Sequence, residues 1–341
     1  MWYVGMDVHL KSSSVCVLDE HGRRVVQKMI RGPWPKLVGW LKGFEDPFAV
    51  CYEASCGYGP RHDALRRLAH QIQVAHPGHL RLIFRSKKKN DRVDAQKLAK
   101  LIYLGEVPTV HVPSPEVRAW RGTAEHRRGL VRRRTRVKNR LRALLRSCGV
   151  VAPSRLWSIK GQPWRQEVEL PSALDTMRRD MRLDELATTG KQIRHVQRHL
   201  DEVANRHAGV QLLKTIPGVG SRTAETVVAY IDDPHRFKTN KAIGSYFGLV
   251  PTQDASGSVN RLGHITRNGP GTVRCLLTEA AWHGIRRSPR IRSYFDRIQR
   301  DDPDRKKIAL VATAHYLVRV MHAMLRTGEM WRDQETCMNA A

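Results

Sequence analysis

Hydrophobic and polar positions in the first hundred residues predict three close strands and then strands that alternate with helices. Runs rich in β-branched and aromatic residues mark the strands, and apolar residues three or four apart mark the helices. The predicted strands are 2–9, 14–18, 24–30, 48–53 and 71–76, and the predicted helices are 36–44, 61–70 and 91–104. Close spacing favours antiparallel pairing of the first three strands, whereas helical crossovers imply parallel pairing of the later ones. The predicted element order is βββαβαβα.

The rest of the chain has helical periodicity. Apolar residues at 130, 137, 141 and 144 predict one buried seam along a helix at 118–146. Leu186, Ile193, Val196, Leu200 and Val203 fit a heptad seam that Thr189 interrupts, which predicts a second, coiled-coil-like helix. Further on, 210–230 is typical of a helix, a glycine hairpin and a helix, 246–270 is expected to be loop-rich, and helices are expected at 272–286, 290–300 and 305–326. We therefore expect four parts: a first domain at 1–110, a basic helical arm at 111–208, a mainly helical domain at 209–330 and a tail at 331–341.

Composition adds a strong basic excess. The 341 residues include 60 Lys and Arg against 32 Asp and Glu, a formal net charge of +28. Twelve of these cations, with one acid, lie within 118–146. Such a charge indicates polyanionic partners, most simply nucleic acids. The longest apolar run, 308–318, is shorter than the roughly 18 residues of a membrane span, and no secretory signal or C-x-x-C pair is present, so we expect no membrane partner and a reduced, cytoplasmic setting.

Four carboxylates in the first domain stand out against this basic background. Asp7 lies in the first predicted strand, Glu53 ends the fourth, and Asp91 and Asp94 share one face at the start of a helix. In the RNase H-like fold that the element order suggests, the first and fourth strands are neighbours, so these side chains can converge. Clustered carboxylates repel one another unless a cation neutralises them, and their hard oxygens suit Mg²⁺ or Mn²⁺. Each acid alone has an ordinary alternative; Asp91, for example, could cap its helix.

Two features of the last domain have both a functional and a purely structural interpretation. The segment 216–224 (IPGVGSRTA) has the spacing of a helix-hairpin-helix motif, in which Gly218 and Gly220 let the backbone approach a phosphate; the alternative is a tight packing turn. Ser256 precedes a glycine in a polar stretch, and composition alone favours a turn there. Arg261, Arg267 and Arg274 follow it and are suited to a phosphate.

Motifs in both domains resemble those of a known family. In the first domain these are 4-VGMDVHLKS-12, 53-EASCGYG-59 and 89-KNDRVDAQKLA-99, and in the last they are 215-TIPGVGSRTA-224, 247-FGLVPTQDASGS-258 and 265-ITRNGPGTVRCLLTEAA-281. They resemble the DEDD transposases of insertion-sequence family one-hundred-and-ten, relatives of the Piv DNA invertase. The resemblance covers most of 3–104 and 209–326.

The resemblance implies a RuvC-like nuclease domain whose metal-binding tetrad is Asp7, Glu53, Asp91 and Asp94, with Mg²⁺ or Mn²⁺ as cofactor. It further implies that Ser256 attacks DNA to form a phosphoserine intermediate. Element and target DNA, a structured bridge RNA and assembly into dimers or tetramers are the implied partners. The expected nucleic-acid contacts are Lys87, Lys88, Lys89, Arg128, Arg132, Arg133, Arg134, Arg136, Lys138, Arg140, Gly218, Gly220, Arg261, Arg267 and Arg274.

Two other functions fit the same residues. A metal-dependent junction resolvase would use water as the nucleophile and leave Ser256 a structural role. A non-catalytic nucleic-acid-binding protein would keep the fold and the basic surface without chemistry at the carboxylates.

Overall fold

The protein, seen here in a computed structural model, separates into two compact units. The structure describes residues 1–83, 90–256 and 259–333, the first unit ends at Arg118, and the second begins at Ala119. The finer division into a first domain, an arm, a last domain and a tail stays a prediction. Lys87, Lys88 and Lys89 lie outside the described residues.

A five-stranded mixed sheet with helices on both faces forms the first unit. Its elements are β1 (Trp2–Val8), β2 (Ser12–Leu18), β3 (Arg24–Arg31), α1 (Trp34–Leu41), β4 (Phe48–Glu53), α2 (Tyr58–Leu65), β5 (Gln71–Ala75), α3 (Pro77–Ile83) and α4 (Asp91–Leu104). The strand order is β3-β2-β1-β4-β5, with β1, β2 and β3 antiparallel and β4 and β5 parallel to β1. The α/β class and the strand pairing are confirmed, and the order is consistent with an RNase H-like fold.

The central strands of this sheet are covered on both faces. On one face, Met6 of β1 and Tyr52 of β4 are fully buried beside Leu41 of α1 and Leu65 of α2. On the other face, β4 packs against α4 through small side chains such as Cys51. Burial of a large apolar side chain contributes about 1.5–3 kcal/mol, so these contacts hold the ends of β1 and β4 rigidly in place.

The second unit is mainly helical. Its elements, the first of which begins at the end of the first unit, are α5 (Pro115–Ser147), α6 (Gln162–Glu167), α7 (Ala173–Arg206), α8 (Ala208–Leu213), α9 (Ser221–Ile231), α10 (Asn240–Tyr246), β6 (Pro251–Ser256), β7 (Val259–Ile265), α11 (Gly271–Arg287), α12 (Pro289–Gln299) and α13 (Lys306–Thr327). α5 and α7 are antiparallel neighbours, joined by an ion pair between Arg133 and Glu185 (2.8 Å) and a hydrogen bond from Arg127 to Gln197 (3.4 Å).

The buried stripe of α7 follows the expected seam positions as far as Leu200 and departs from them at Val203. Thr189, expected to interrupt the seam, is 1% exposed, whereas Val203, expected within it, is 45% exposed. The buried positions of α7 are Arg179, Thr189, Ile193, Leu200 and Ala204. Thr189, Ile193 and Leu200 keep the heptad spacing, and the stripe shifts by one residue, from Val203 to Ala204, in the last turns of the helix, as the 3.6-residue turn of a straight helix allows.

Two further predictions change in this unit. The stretch expected to be loop-rich contains a two-stranded ribbon, β6–β7. All β6 residues are exposed, so the sequence has no alternation of apolar and polar residues that would predict this strand.

One helix within the described residues, over Pro303–Thr327, is long and apolar enough to cross a membrane by length and composition. Half of the apolar 18-residue window within that helix is buried inside the protein, and α13 supplies Leu317, Val318 and Met321 to the core of the second unit.

Candidate functional site

The start of α4 places two acidic residues at the C-terminal end of the central strand β1. Asn90 is the N-cap, and its side-chain oxygen accepts a hydrogen bond from the backbone N–H of Arg92 (3.0 Å). Asp91 and Asp94 therefore occupy the first turn of α4, where carboxylates are favourable near the helix N-terminus. Because Asn90 supplies the cap, Asp91 is left available for another role.

A glycine in β1 lets α4 lie directly on the strand. A Cβ at Gly5 would overlap the backbone of Ala95 and Ala99. Toward the start of β1 and the end of α4, the rings of Tyr3 and Tyr103 pack edge to face, with ring centroids 5.2 Å apart. α4 thus runs opposite to β1, which brings its acidic first turn to the end of the strand that carries Asp7.

Three side chains converge at this point. The Nε2 atom of His9 lies 3.2 Å from Oδ2 of Asp7 and 3.6 Å from Oδ2 of Asp91. One donor atom from each of the three residues lies within 4.8 Å of the other two. Such an arrangement of two carboxylates and an imidazole has the donor types and spacing of a divalent-cation site.

The environment of Asp7 disfavours its charge. Burial raises the pKa of the Asp7 carboxyl, and the negative charges of Asp91 and Asp94 raise it further, while His9 opposes them. The Asp7 side chain is 18% exposed. A bound cation would reverse this balance by stabilising the ionised carboxylate, so these residues fit a metal ion.

The other two predicted carboxylates are close in the fold but have different surroundings. Asp94 accepts a hydrogen bond from the Lys97 ammonium (3.2 Å), one turn further along α4. Glu53 ends β4 and is half-buried, directly after Tyr52, which pairs with Met6 of β1. The structure therefore brings Asp7 and Asp91 together, with Asp94 near enough to influence Asp7 and Glu53 at the end of the adjacent strand.

His9 is absent from the sites that we predicted from sequence. Its backbone N–H donates to the Ser12 carbonyl (2.9 Å), which continues the β1–β2 pairing beyond Val8. Residues two apart in extended backbone point to the same face, so His9 follows Asp7. The D-x-H pattern at the end of a strand is the signal that would have found it.

Ser256 lies in the second unit, at the last described position of β6. It pairs with Val259, and its side chain is exposed. Two positions earlier along β6, Asp254 pairs with Arg261, which is also exposed. The serine hydroxyl is therefore accessible to a large substrate.

Arg267 and Arg274 follow the ribbon in the chain, after the end of β7. Arg267 is exposed and has a left-handed backbone (φ 57°), an uncommon conformation for a residue other than glycine. Arg274 of α11 donates through Nη1 to the carbonyls of Phe247 (3.1 Å) and Gly269 (3.2 Å). These bonds join the chain segments just before and just after the ribbon, a structural role that the sequence did not suggest.

The predicted nucleic-acid contacts of α5 differ in accessibility. Those with exposed side chains are Arg132, Arg133, Arg136 and Arg140, and those that are half-buried are Arg128, Arg134 and Lys138. The Lys138 ammonium lies over the ring of Trp157, 4.9 Å from its centroid. The exposed set presents the guanidinium groups that a phosphate backbone can reach.

Gly218 and Gly220 have different surroundings in the turn between α8 and α9. Gly218 has φ 91°, and a Cβ there would meet the backbone of Gly284 in α11 within 2.9 Å. Gly220 is the N-cap of α9, is exposed, and has open space where a Cβ would stand. Packing thus accounts for the first glycine, whereas the second leaves a helix N-terminus open to an anion.

Comparisons with known proteins follow the same two regions. A DEDD model of IS110 type, described as Transposase, matches residues 4–149, and a model described as Transposase IS116/IS110/IS902 family matches residues 210–296. Together they span more than half of the chain.

Relatives of similar length carry related names. A protein of Pseudomonas aeruginosa named Probable family 20 transposase is 26% identical over 82% of this chain and 82% of its own length. The Transposase for insertion sequence element IS1111A of Coxiella burnetii is 27% identical over 82% of this chain and 76% of its own. The Pilin gene-inverting protein of Moraxella lacunata is 29% identical over 34% of this chain and 36% of its own.

The α/β unit, its acidic cluster and these matches define a DNA-modifying enzyme of the transposase class. More particularly, the chain belongs to the IS110 family of DEDD insertion-sequence transposases.

Proposed function

We propose that this transposase cleaves and rejoins DNA strands with a metal-holding tetrad, Asp7, Glu53, Asp91 and Asp94, and a serine nucleophile, Ser256. The observation that supports it most is the convergence of Asp7, His9 and Asp91 within 4.8 Å at one edge of the sheet. When bound there, Mg²⁺ or Mn²⁺ would neutralise charge on the scissile phosphate and on the departing 3′-oxygen.

Ser256 has the role of the attacking group in this proposal. Its Oγ forms a bond to phosphorus while the bond from phosphorus to the 3′-oxygen breaks. The hydroxyl proton passes to a base, and the departing 3′-oxygen takes up a proton from water and leaves as an alcohol. The resulting phosphoserine ester conserves a phosphodiester-like bond, so a second 3′-hydroxyl can reverse the step on another strand without ATP. Exposure of Ser256 on the ribbon and the nearby Arg261 support this assignment.

Nucleic-acid binding is assigned to the basic arm and the glycine hairpin. Arg132, Arg133, Arg136 and Arg140 of α5 are exposed and suit a phosphate backbone. The open N-terminus of α9 at Gly220 suits a further phosphate in the manner of a helix-hairpin-helix motif. Guidance by a bridge RNA, assembly into dimers or tetramers through the helical arm, and a cytoplasmic location complete the proposal.

Trapping a covalent protein–DNA adduct tests the nucleophile. The wild-type protein, incubated with its element-end DNA, Mg²⁺ and any RNA transcribed beside its gene, is expected to form an adduct that survives denaturation. Ser256→Ala should reduce the adduct at least about 100-fold, as loss of a nucleophile does. Thr252→Ala, an exposed hydroxyl on the same strand, is the matched control and should leave the adduct intact.

The alternatives give different outcomes in the same assay. Cleavage by Ser256→Ala at the wild-type rate, without an adduct, would establish a resolvase that uses water. Retained DNA affinity with no cleavage by the wild type, and no effect of Asp7→Asn or Asp94→Asn, would establish a binding protein.

A further inference from the structure

His9 is placed to contact whatever lies between Asp7 and Asp91. Because the β1–β2 pairing continues to His9, its ring stands on the same face as Asp7, toward the N-terminus of α4. Its Nε2 atom lies within 3.6 Å of one oxygen from each carboxylate.

The three donor atoms form a distinct group. Among the residues that the structure describes, only Asp7, His9 and Asp91 form a trio of His, Cys, Asp or Glu side chains whose ligand atoms all lie within 4.8 Å. The ring is 44% exposed, so it is free to turn without disturbing the core. As a protonated ring it can pair with both carboxylates, and as a neutral ring it offers the Nε2 lone pair to a cation held by the same oxygens.

We propose that His9 Nε2 is an additional protein ligand of the divalent cation in this transposase, next to the carboxylates of Asp7 and Asp91. The inference rests on the metal site of the proposed function and adds a nitrogen donor to a carboxylate set. Mg²⁺ strongly prefers oxygen ligands and retains its water, whereas imidazole suits transition-metal ions better. With His9 as a ligand, the ratio of Mn²⁺ affinity to Mg²⁺ affinity is therefore higher than for a site of carboxylates alone.

Pulsed electron paramagnetic resonance on the full-length wild-type protein with Mn²⁺ tests the ligand directly. We expect a coupling between Mn²⁺ and a ¹⁴N nucleus that changes to the ¹⁵N pattern when the protein contains ¹⁵N-labelled histidine. His9→Gln should abolish the coupling, while His21→Gln, an exposed histidine of the same unit that lies 3.7 Å from Glu20, should retain it.

Calorimetric titration with each ion gives the selectivity. His9→Gln should weaken Mn²⁺ binding about tenfold, in line with the effect of disturbing a metal's protein partners, and should change Mg²⁺ binding about twofold at most. Two results would overturn the role of His9 and leave the carboxylate site standing. The first is an equal loss of affinity for both ions in His9→Gln. The second is wild-type Mn²⁺ binding that Asp7→Asn abolishes but that shows no nitrogen coupling. Failure of the wild type to bind either ion would overturn both.

Discussion

A residue without a side chain determines how closely the acidic groups approach. Gly5 stands two positions before Asp7, on the same face of β1, and the backbone of α4 occupies the space that any Cβ would need. The helix that carries Asp91 therefore rests against the strand that carries Asp7. A substitution here would move the carboxylates without altering either of them.

Gly5→Ala is expected to lower the free energy of unfolding by about 2–3 kcal/mol, because the new methyl group must displace the backbone of α4. Urea unfolding measures the change. Gly39→Ala, in α1 with open space around it, is the control and should raise stability by about 0.5–1 kcal/mol. If Gly5→Ala were as stable as the wild type, the close contact between β1 and α4 would be disproved.

The acidic cluster itself should cost stability when no cation is bound. Because the folded-state pKa of Asp7 is raised, the ionised carboxylate destabilises the fold above that pKa, and neutral Asn removes the penalty. At pH 8 with a chelator, Asp7→Asn is expected to be more stable than the wild type by on the order of 1 kcal/mol.

Metal addition should invert that order. Mn²⁺ at about 100 times its Kd is expected to stabilise the wild type by about 2.7 kcal/mol and Asp7→Asn by much less. Thermal unfolding with and without Mn²⁺ provides both comparisons, and an equal response of the two proteins would argue against Asp7 as a ligand.

At the scale of elements, α9 carries a buried charge network that links it to α7. Glu225 is 1% exposed, and its Oε1 lies 3.1 Å from Nη1 of Arg222, which also pairs with Asp201 of α7. Burial raises the pKa of Glu225 to about 7, although Arg222 and Arg127 act in the opposite direction. The carboxyl therefore changes its charge near neutral pH, at the helix that follows the glycine hairpin.

The stability of the second unit should consequently depend on pH through Glu225. A raised folded-state pKa means that its stabilising contribution is complete below about pH 4.5 and is lost as pH rises through about 7. A shift of that size corresponds to about 3 kcal/mol. Glu225→Gln should flatten the pH dependence of unfolding between pH 5 and 8, whereas Glu202→Gln, exposed on α7, should not.

Elements with a buried face were the ones that the sequence predicted well. α4 has the predicted bounds, Asp91–Leu104, because an N-cap, an apolar stripe and a C-terminal glycine in left-handed conformation all agree. The ribbon β6–β7 was missed because its β6 strand buries nothing. In α7, Val203 was placed in the buried seam although Ala204 is the buried residue, because periods of 3.5 and 3.6 residues diverge over a long helix.

For the whole molecule, the charge of +28 predicts affinity for nucleic acid that falls steeply with salt. Arg132 and Arg136 are exposed on α5. Replacing both with Ala should reduce the slope of log K against log salt by about 1.8, since each lost phosphate contact contributes about 0.9. Fluorescence anisotropy with duplex DNA at several salt concentrations measures the slope.

A control variant that loses the same charge elsewhere distinguishes direct phosphate contacts of α5 from the general attraction of a basic protein to DNA. Arg66→Ala with Arg67→Ala removes the same two charges from an exposed stretch of the first unit. An equal change in slope for both pairs would show that α5 has no special part in binding.

The sequence by itself determined the family, the α/β order of the first unit and the positions of Asp7 and Asp91 at the ends of neighbouring elements, because periodicity, caps and short motifs are local properties of the chain. Tertiary structure alone decided that α4 rests on Gly5, that His9 joins Asp7 and Asp91, and that Gly218 packs against α11 while Gly220 stays open. Each of these depends on the distance between elements far apart in sequence, which packing sets and no local pattern records.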